Sequence, residues 1–156
     1  MDDPVAQFQK SHEELAGVIA RFSDEELTRP GKEGDWSVRE VMAHIAAWDD
    51  WAKRAIELRL ISDDLPREMV EEARNPDPFN ARAAASWQGY DARQARAAFA
   101  QAYTDLIGFL HAAPHEQLYR QIVRPNGKIT TPAASLTALT HHNDGHRASL
   151  EQALNQ

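Results

Sequence analysis

The stretch that decides the fold is residues 36–48, which read WSVREVMAHIAAW. Its Ser-Val-Arg-Glu segment forms a capping box, in which the serine and glutamate side chains bond each other's backbone N–H groups at a helix start. The apolar residues then recur every three or four positions, so we expect an amphipathic helix from Val38 to about Leu60. His44 lies in the apolar stripe of that helix, and its imidazole is therefore directed at the core.

Apolar residues with the same spacing predict three further long helices. The first and the last open with a capping residue followed by proline, a combination typical of helix N-termini. The expected elements are a first helix of about 20 residues from Asp3-Pro4, a third from Asp91 to Ala112, and a fourth from Thr131-Pro132 to Leu154.

A long connection, residues 61–90, separates the second and third helices. Its prolines break any long helix and leave room only for a short one from Glu68 to Arg74. In an all-helical chain, such a connection indicates a crossover that lets consecutive helices run parallel. Asn126-Gly127 between apolar-polar runs adds a small surface hairpin. The chain is therefore predicted to be all-α, a four-helix bundle with residues 1–156 in one domain.

The composition limits the classes of function open to this chain. There is no cysteine, so a thiolate metal site and covalent cysteine catalysis are excluded, and a metal would have to use His, Asp or Glu. The net charge of -7 and the dispersed Lys and Arg residues argue against a nucleic-acid partner. An acidic N-terminus unlike a signal peptide, and no apolar run near the roughly 18 residues of a membrane span, predict a cytoplasmic protein with no membrane partner.

A histidine pair at i and i+4, His142 and His146, lies on the predicted fourth helix. Residues four apart are about 40° apart around a helix, so both rings can reach one ion. Both lie within about 60° of Leu139 on the core stripe, whereas His141 points nearly opposite. A third ligand from the second helix, His44, would leave an open coordination position, which permits catalysis. The pattern predicts a metal site at these three histidines.

An alternative is that each of the three histidines is a separately hydrogen-bonded core residue. We favour a shared cation, because the alternative requires three independent partners for three buried rings.

Three further residues are candidates for the pocket around the site. His12 lies in the stripe of the first helix without a partner at metal spacing, and Trp48 shares the apolar face of His44. Asn143, on the core side of the fourth helix, could orient a substrate or a water. Asp49 lies about 140° from His44 and is not expected to reach the metal.

Residues 34–49, GDWSVREVMAHIAAWD, and 140–152, THHNDGHRASLEQ, resemble the second- and fourth-helix segments of the DinB-like superfamily. The resemblance covers nearly the whole chain. It implies a four-helix bundle with an up-down-down-up course and a divalent metal held by three histidines, here His44, His142 and His146. It also implies relatives that include thiol-dependent transferases and isomerases, and a self-protection branch that hydrolyses a cyclopropane-bearing genotoxin.

These observations predict a divalent-metal-binding enzyme, a hydrolase or thiol-dependent transferase, acting on a small electrophilic molecule. Three imidazoles suit Zn, Ni, Fe and Cu, and a low-molecular-weight thiol cosubstrate would supply any sulfur nucleophile, because the chain has no cysteine. The alternatives are a non-catalytic bundle that binds or sequesters a small molecule, and a structural dimer. A homodimer is expected because the resemblance implies bundles that often pair, and because Trp51 and Trp87 are two large aromatic side chains beyond what one core needs.

Overall fold

The computed structural model describes residues 3–156; Met1 and Asp2, which the predicted domain includes, lie outside them. That part of the chain holds eight helices and one two-stranded hairpin. The elements are α1 Pro4–Ile19, α2 Asp24–Thr28, α3 Val38–Arg59, α4 Arg67–Arg74, α5 Asp77–Ala85, α6 Ala92–Ala112, α7 His115–Leu118, β1 Ile122–Val123, β2 Ile129–Thr130 and α8 Ser135–Leu154. The four long helices α1, α3, α6 and α8 are the four predicted ones, and the fold is all-α.

The long helices begin where capping side chains satisfy their free N–H groups. The Asp3 carboxylate accepts a hydrogen bond from the Val5 N–H at 3.2 Å. Ser37 and Glu40 form the predicted capping box at the start of α3, and Asp91 caps α6 in the same way. Since these caps are local, the sequence could predict all three helix starts.

The start of the last helix differs from its prediction. The Thr131 hydroxyl accepts a hydrogen bond from the Ala134 N–H at 3.1 Å, as a cap would. However, Ala134 and Ser135 also donate to the carbonyls three residues before them, which makes a tight turn. Helix α8 therefore begins at Ser135, after the predicted start at Thr131-Pro132.

The crossover between α3 and α6 is more ordered than predicted. Helix α4 matches the expected short helix, but α5 was not predicted. Proline is tolerated in a first helical turn because the N–H groups there have no partner within the helix, so Pro78, the second residue of α5, does not break it. Helix α5 packs on α3, with the Phe79 ring 4.4 Å from the Trp48 ring.

Helices α1 and α8 run parallel. The Ser11 hydroxyl donates to the Asp144 carboxylate at 2.8 Å. One turn further along both helices, Arg147 pairs with Glu14 at 3.3 Å. Both contacts move toward the C-terminus together along α1 and α8, so the two helices point the same way.

Helix α3 runs antiparallel to α8. Near the start of α3, His44 meets His142 in the middle of α8. At the other end of α3, the Arg59 guanidinium donates to Ser135, the first residue of α8.

Helix α6 runs parallel to α3. Arg39 in the first turn of α3 donates to the carbonyl of Tyr90, just before α6. Ile56, near the end of α3, shares an apolar cluster with Leu110, near the end of α6. The bundle therefore has the expected up-down-down-up course.

The core consists of two apolar clusters, one toward each end of the bundle. The first cluster contains Leu15, Val18, Ile19, Phe22, Leu27, Val38, Val41, Met42, Ile45, Ala92, Ala95, Phe99 and Leu150. The second contains Val5, Phe8, Ala52, Ile56, Leu106, Leu110, Leu118, Ala133, Leu136 and Leu139.

Buried polar residues fall between these two clusters along the chain. In α1, His12 lies between Phe8 of the second cluster and Leu15 of the first. In α8, Asn143 lies between Leu139 of the second cluster and Leu150 of the first. The middle of the bundle is therefore polar. None of the helices in residues 3–156 is long and apolar enough to cross a bilayer.

Candidate metal centre

The structure brings His44, His142 and His146 together at mid-height of the bundle. The Nε2 atom of His142 lies 2.7 Å from Nε2 of His44 and 2.9 Å from Nε2 of His146. One ligand atom from each of the three residues lies within 4.8 Å of the others. Three nitrogens that close, contributed by two helices, are arranged to share one cation.

The positions of the ring protons favour a shared cation over a set of hydrogen bonds among the three imidazoles. In the neutral form that binds a metal, the His146 imidazole carries its proton on Nδ1, which faces both oxygens of Glu33 at 2.9 and 2.8 Å. Nε2 of His146 therefore presents a lone pair to His142. Because His142 Nε2 carries at most one proton, it cannot fully satisfy both of its neighbours. A shared ion would accept all three lone pairs, so the donor set fits a divalent metal.

A small adjustment of the rings would accommodate such an ion. A tetrahedral ion at roughly 2.1 Å from each imidazole holds its donors about 3.4 Å apart. The two shortest nitrogen contacts are 2.7 and 2.9 Å. The rings would have to separate by about half an ångström, which is within the range of side-chain movement.

Burial keeps two of the histidines neutral. Desolvation, together with the charges of His142 and His146, lowers the pKa of His44 to about 3. Desolvation and His146 lower the pKa of His142 to about 4, although Glu33 opposes this. Imidazole binds a cation only in its neutral form, so both rings have free lone pairs at neutral pH.

Glu33 contacts the histidine cluster, and nothing in the sequence indicated that contact. It lies in the loop between α2 and α3, where its backbone pairs with that of Trp36. The turn between them contains Gly34, whose φ of +57° suits glycine. A carboxylate on the outer nitrogen of a metal-binding histidine fixes the tautomer and strengthens the ligand. No local signal pairs Glu33 with His146, since 113 residues separate them.

A cavity of about 520 Å³ opens beside the three histidines. Its walls include His44 and His142 from the site and the rings of Trp48 and Trp51 from the same face of α3. This volume is within the usual range for small-molecule sites, about 300–1,000 Å³. The predicted pocket residue Trp48 therefore lies where it was expected.

The crossover supplies the outer wall of this cavity. The Trp48 indole N–H donates to Asn80 of α5 at 2.9 Å, and the Trp51 indole N–H donates to Glu72 of α4 at 3.1 Å. Since both polar edges are satisfied from the crossover, the ring faces remain free to line the cavity. Val70 of α4 also lines it.

The other two predicted pocket residues lie elsewhere. His12 is buried and stacks on Tyr103, with ring centroids 3.8 Å apart and planes within 3°. Asn143 is fully buried, and neither polar atom of its side chain has a hydrogen-bond partner among residues 3–156. Neither residue lines the cavity beside the histidines. His12 is therefore part of an aromatic stack, and Asn143 is part of the bundle interior on the buried face of α8.

Helical phase predicts that the side chains of Asp49 and His141 point away from the metal site. Asp49 is fully buried, and burial raises the pKa of its carboxyl well above the usual range. Its carboxylate makes no hydrogen bond to any of the three histidines, and Asp49 lines a different cavity together with Gln101 of α6. His141 is exposed, as its helical phase predicts.

Four long helices in this order, a crossover after the second, and three histidines beside a cavity are the features of a DinB-like four-helix bundle. The chain belongs to the mycothiol maleylpyruvate isomerase N-terminal domain family, whose model matches residues 8–151. The predicted resemblance to the DinB-like superfamily is thereby confirmed. No sequence among the curated proteins matches the chain significantly.

Solved structures with the same fold include two of the mycothiol-dependent maleylpyruvate isomerase, one of them a histidine-to-alanine mutant. The mutant has a TM-score of 0.73 and 10% identity, and the other has 0.72 and 9%. In each case the match covers 94% of this chain and 59% of the isomerase chain, so this protein spans about three-fifths of that enzyme.

A third solved structure is YfiT from Bacillus subtilis, a probable metal-dependent hydrolase with an unusual four-helix bundle topology. It has a TM-score of 0.61 and 18% identity over 97% of this chain and 84% of YfiT. At such low identities, all three structures establish the fold of this chain and not its activity.

Proposed function

We propose that the protein is a metal-dependent enzyme acting on a small electrophilic molecule, with His44, His142 and His146 as the ligands of a divalent ion. The observation that carries the proposal is the convergence of their Nε2 atoms beside an apolar cavity. When bound, a divalent ion would lower the pKa of a water or thiol toward neutrality. Three imidazoles fit Zn, Ni or Fe.

The chain's own residues supply orientation and exclusion of water. The Glu33 carboxylate accepts a hydrogen bond from the His146 Nδ1–H and so holds the ring with its Nε2 facing the site. Trp48 and Trp51 cover one side of the cavity with ring faces, which suit the apolar body of a substrate. Because the chain has no cysteine, a sulfur nucleophile would arrive as a low-molecular-weight thiol cosubstrate. The mycothiol-dependent relatives support that choice.

Metal content tests the ligand set. We expect elemental analysis of protein purified without an affinity tag to find about one divalent ion per chain, and His142→Ala and His146→Ala to lose it while staying folded. His141→Ala is the matched control and should keep the metal, because that ring points to solvent. Equal loss in the His141 variant, or no metal in the wild type, would contradict the proposal.

Turnover separates an enzyme from a binding protein. A bundle that sequesters or neutralises a small molecule without reaction is the alternative, and the size of the cavity is compatible with it. We expect hydrolysis of a 4-nitrophenyl ester, or transfer of a low-molecular-weight thiol to 1-chloro-2,4-dinitrobenzene, to depend on His142. Stoichiometric binding of such compounds without product would favour the alternative.

A further inference from the structure

Two arginines lie in the wall of the cavity that His44 and His142 also line. Arg59 is the last residue of α3, and Arg124 directly follows β1 of the hairpin. The remaining walls include the Trp48 and Trp51 rings and aliphatic side chains such as Leu139. The cavity is therefore mainly apolar, with imidazoles in one part and guanidinium groups in another.

Within residues 3–156 neither arginine has a carboxylate partner, although the chain has 24 acidic residues and a net charge of -7. Among residues 3–156, ion pairs with carboxylates are made by Lys10, Arg29, Arg74, Arg82, Arg96, Arg120 and Arg147. Arg59 and Arg124 take part in none of them. Instead they lie close enough that burial and the charge of Arg124 together lower the pKa of Arg59. Two unneutralised cations facing one cavity indicate an anionic ligand.

The surrounding contacts hold the Arg59 side chain and the Arg124 backbone, and none of them neutralises either guanidinium group. One Nη of Arg59 donates to the Ser135 hydroxyl at 2.8 Å, while its Nε is buried without a partner among the described residues. The nearby carboxylate of Asp63 pairs with Arg120 at 2.7 Å, and Arg120 also holds the Arg59 carbonyl. The backbone of Arg124 is held in the hairpin by a 2.9 Å bond to Lys128. Arg59 is thus held at the cavity wall, and the more exposed Arg124 lies beside it on the same wall.

The distance between the arginines and the histidines sets the length of that ligand. Ser135, which holds Arg59, precedes His142 by two turns of α8, or about 10 Å along the helix. A molecule that reached from the guanidinium groups to the histidines would pass the indole rings of Trp48 and Trp51. An apolar chain or ring system of about eight non-hydrogen atoms has this length.

We propose that Arg59 and Arg124 bind the anionic end of an elongated, otherwise apolar substrate whose other end reaches the three histidines. The inference rests on the proposed function for the role of the histidine end. Guanidinium groups pair with planar or tetrahedral oxyanions through parallel hydrogen bonds, so a carboxylate or a phosphate monoester fits them. The two arginines would then select acidic substrates and fix which end of the molecule meets the site.

Binding of simple amphiphiles tests this inference. We expect calorimetry on the wild type to show octanoate binding at least about tenfold more tightly than 1-octanol, because one charge-assisted pair in a partly buried site is worth about that factor. Arg124→Gln and Arg59→Gln should each weaken octanoate binding about tenfold and leave 1-octanol unchanged. Lys128→Gln is the matched control, since it removes a cation from the same hairpin without touching the cavity wall. Hexyl phosphate in place of octanoate shows which oxyanion the pair prefers.

The same variants separate this inference from the proposed function. In His142→Ala, octanoate binding should persist while metal content is lost. Normal metal content in the two arginine variants, with weaker octanoate binding, would support both proposals. If octanoate and 1-octanol bind equally, or if octanoate binding disappears in His142→Ala and survives in both arginine variants, the anion site is wrong. A wild type that lacks metal but binds octanoate through the arginines would overturn only the metal proposal.

Discussion

Single buried polar side chains make the interior of this bundle different from an ordinary apolar core. Asp49 and Asn143 are fully buried, and their polar side-chain atoms have no hydrogen-bond partner among residues 3–156. Burying such a group costs roughly 1–3 kcal/mol. Both side chains lie between the two apolar clusters, at the level of the three histidines, so this cost falls in the middle of the bundle.

Replacing Asp49 should stabilise the protein at neutral pH. The leucine of Asp49→Leu has a similar shape and carries no polar atoms, so we expect a gain on the order of 1–3 kcal/mol in the free energy of unfolding. Urea denaturation measures it. Asp50→Leu, at the exposed neighbouring position, should change it by less than about 0.5 kcal/mol.

The gain from Asp49→Leu should depend on pH. Burial raises the pKa of the Asp49 carboxyl above its ordinary value of 3.8, so the folded state holds this proton more tightly than the unfolded chain. Raising the pH above about 3.8 therefore removes stability from the wild type and not from the variant. The stability difference should grow from acid toward neutral pH. A difference that is constant with pH would show that Asp49 is not buried as a neutral acid.

Of the three histidines of the proposed site, Glu33 directly contacts His146. Glu33→Gln keeps a side chain of the same size but removes the negative charge facing the His146 Nδ1–H. Loss of such a partner typically lowers metal affinity 10- to 100-fold. Competition with a chromophoric chelator measures this affinity. Asp35→Asn, an exposed position in the same loop, is the control, and equal affinities in the two variants would contradict the role of Glu33.

At the scale of the elements, three of the four long helices, α1, α3 and α6, have a start that is visible in the sequence, and all four have a face that tertiary contacts use. Helix α3 carries His44 near its N-terminus and Arg59 at its C-terminus, and both reach α8. In the crossover, Glu72 of α4 accepts a hydrogen bond from Trp51, and Asn80 of α5 accepts one from Trp48. The crossover is therefore part of the proposed binding cavity as well as a connection.

Removing the cap of α3 should destabilise the whole bundle. Ser37 is fully buried and its hydroxyl accepts a hydrogen bond from the Glu40 N–H at 3.2 Å. We expect Ser37→Ala to lower the free energy of unfolding by about 1 kcal/mol. Ser23→Ala removes the same kind of capping box from the short, peripheral α2 and should cost less. Urea denaturation compares the two variants. Equal losses of unfolding free energy would mean that the cap of α3 contributes no more to stability than the cap of α2.

At the scale of the whole molecule, the oligomeric state remains a prediction. The two tryptophans that suggested an interface both have partners within one chain. Trp51 donates to Glu72, and Trp87 packs on the first cluster and stacks against Tyr90. The expectation of a homodimer now rests on the resemblance alone. Sedimentation equilibrium should show about twice the 17.5 kDa chain mass, and a 17.5 kDa species at high protein concentration would remove the prediction.

The sequence by itself determined the four long helices, most of their starts and the inward orientation of His44, His142 and His146. These features depend on local chemistry: capping side chains, apolar spacing and helical phase act over a few residues. The phase that separates His141 from His142 is of the same kind.

Only the tertiary structure decided which distant residues meet. The Glu33–His146 contact, the cavity wall made by the crossover and the unpaired Arg59 and Arg124 depend on the paths of loops between helices. Helix α5 was missed for a related reason, since it is held by packing of Phe79 on Trp48. Local periodicity carries no information about such long-range pairings, because they are selected by the packing of the whole bundle.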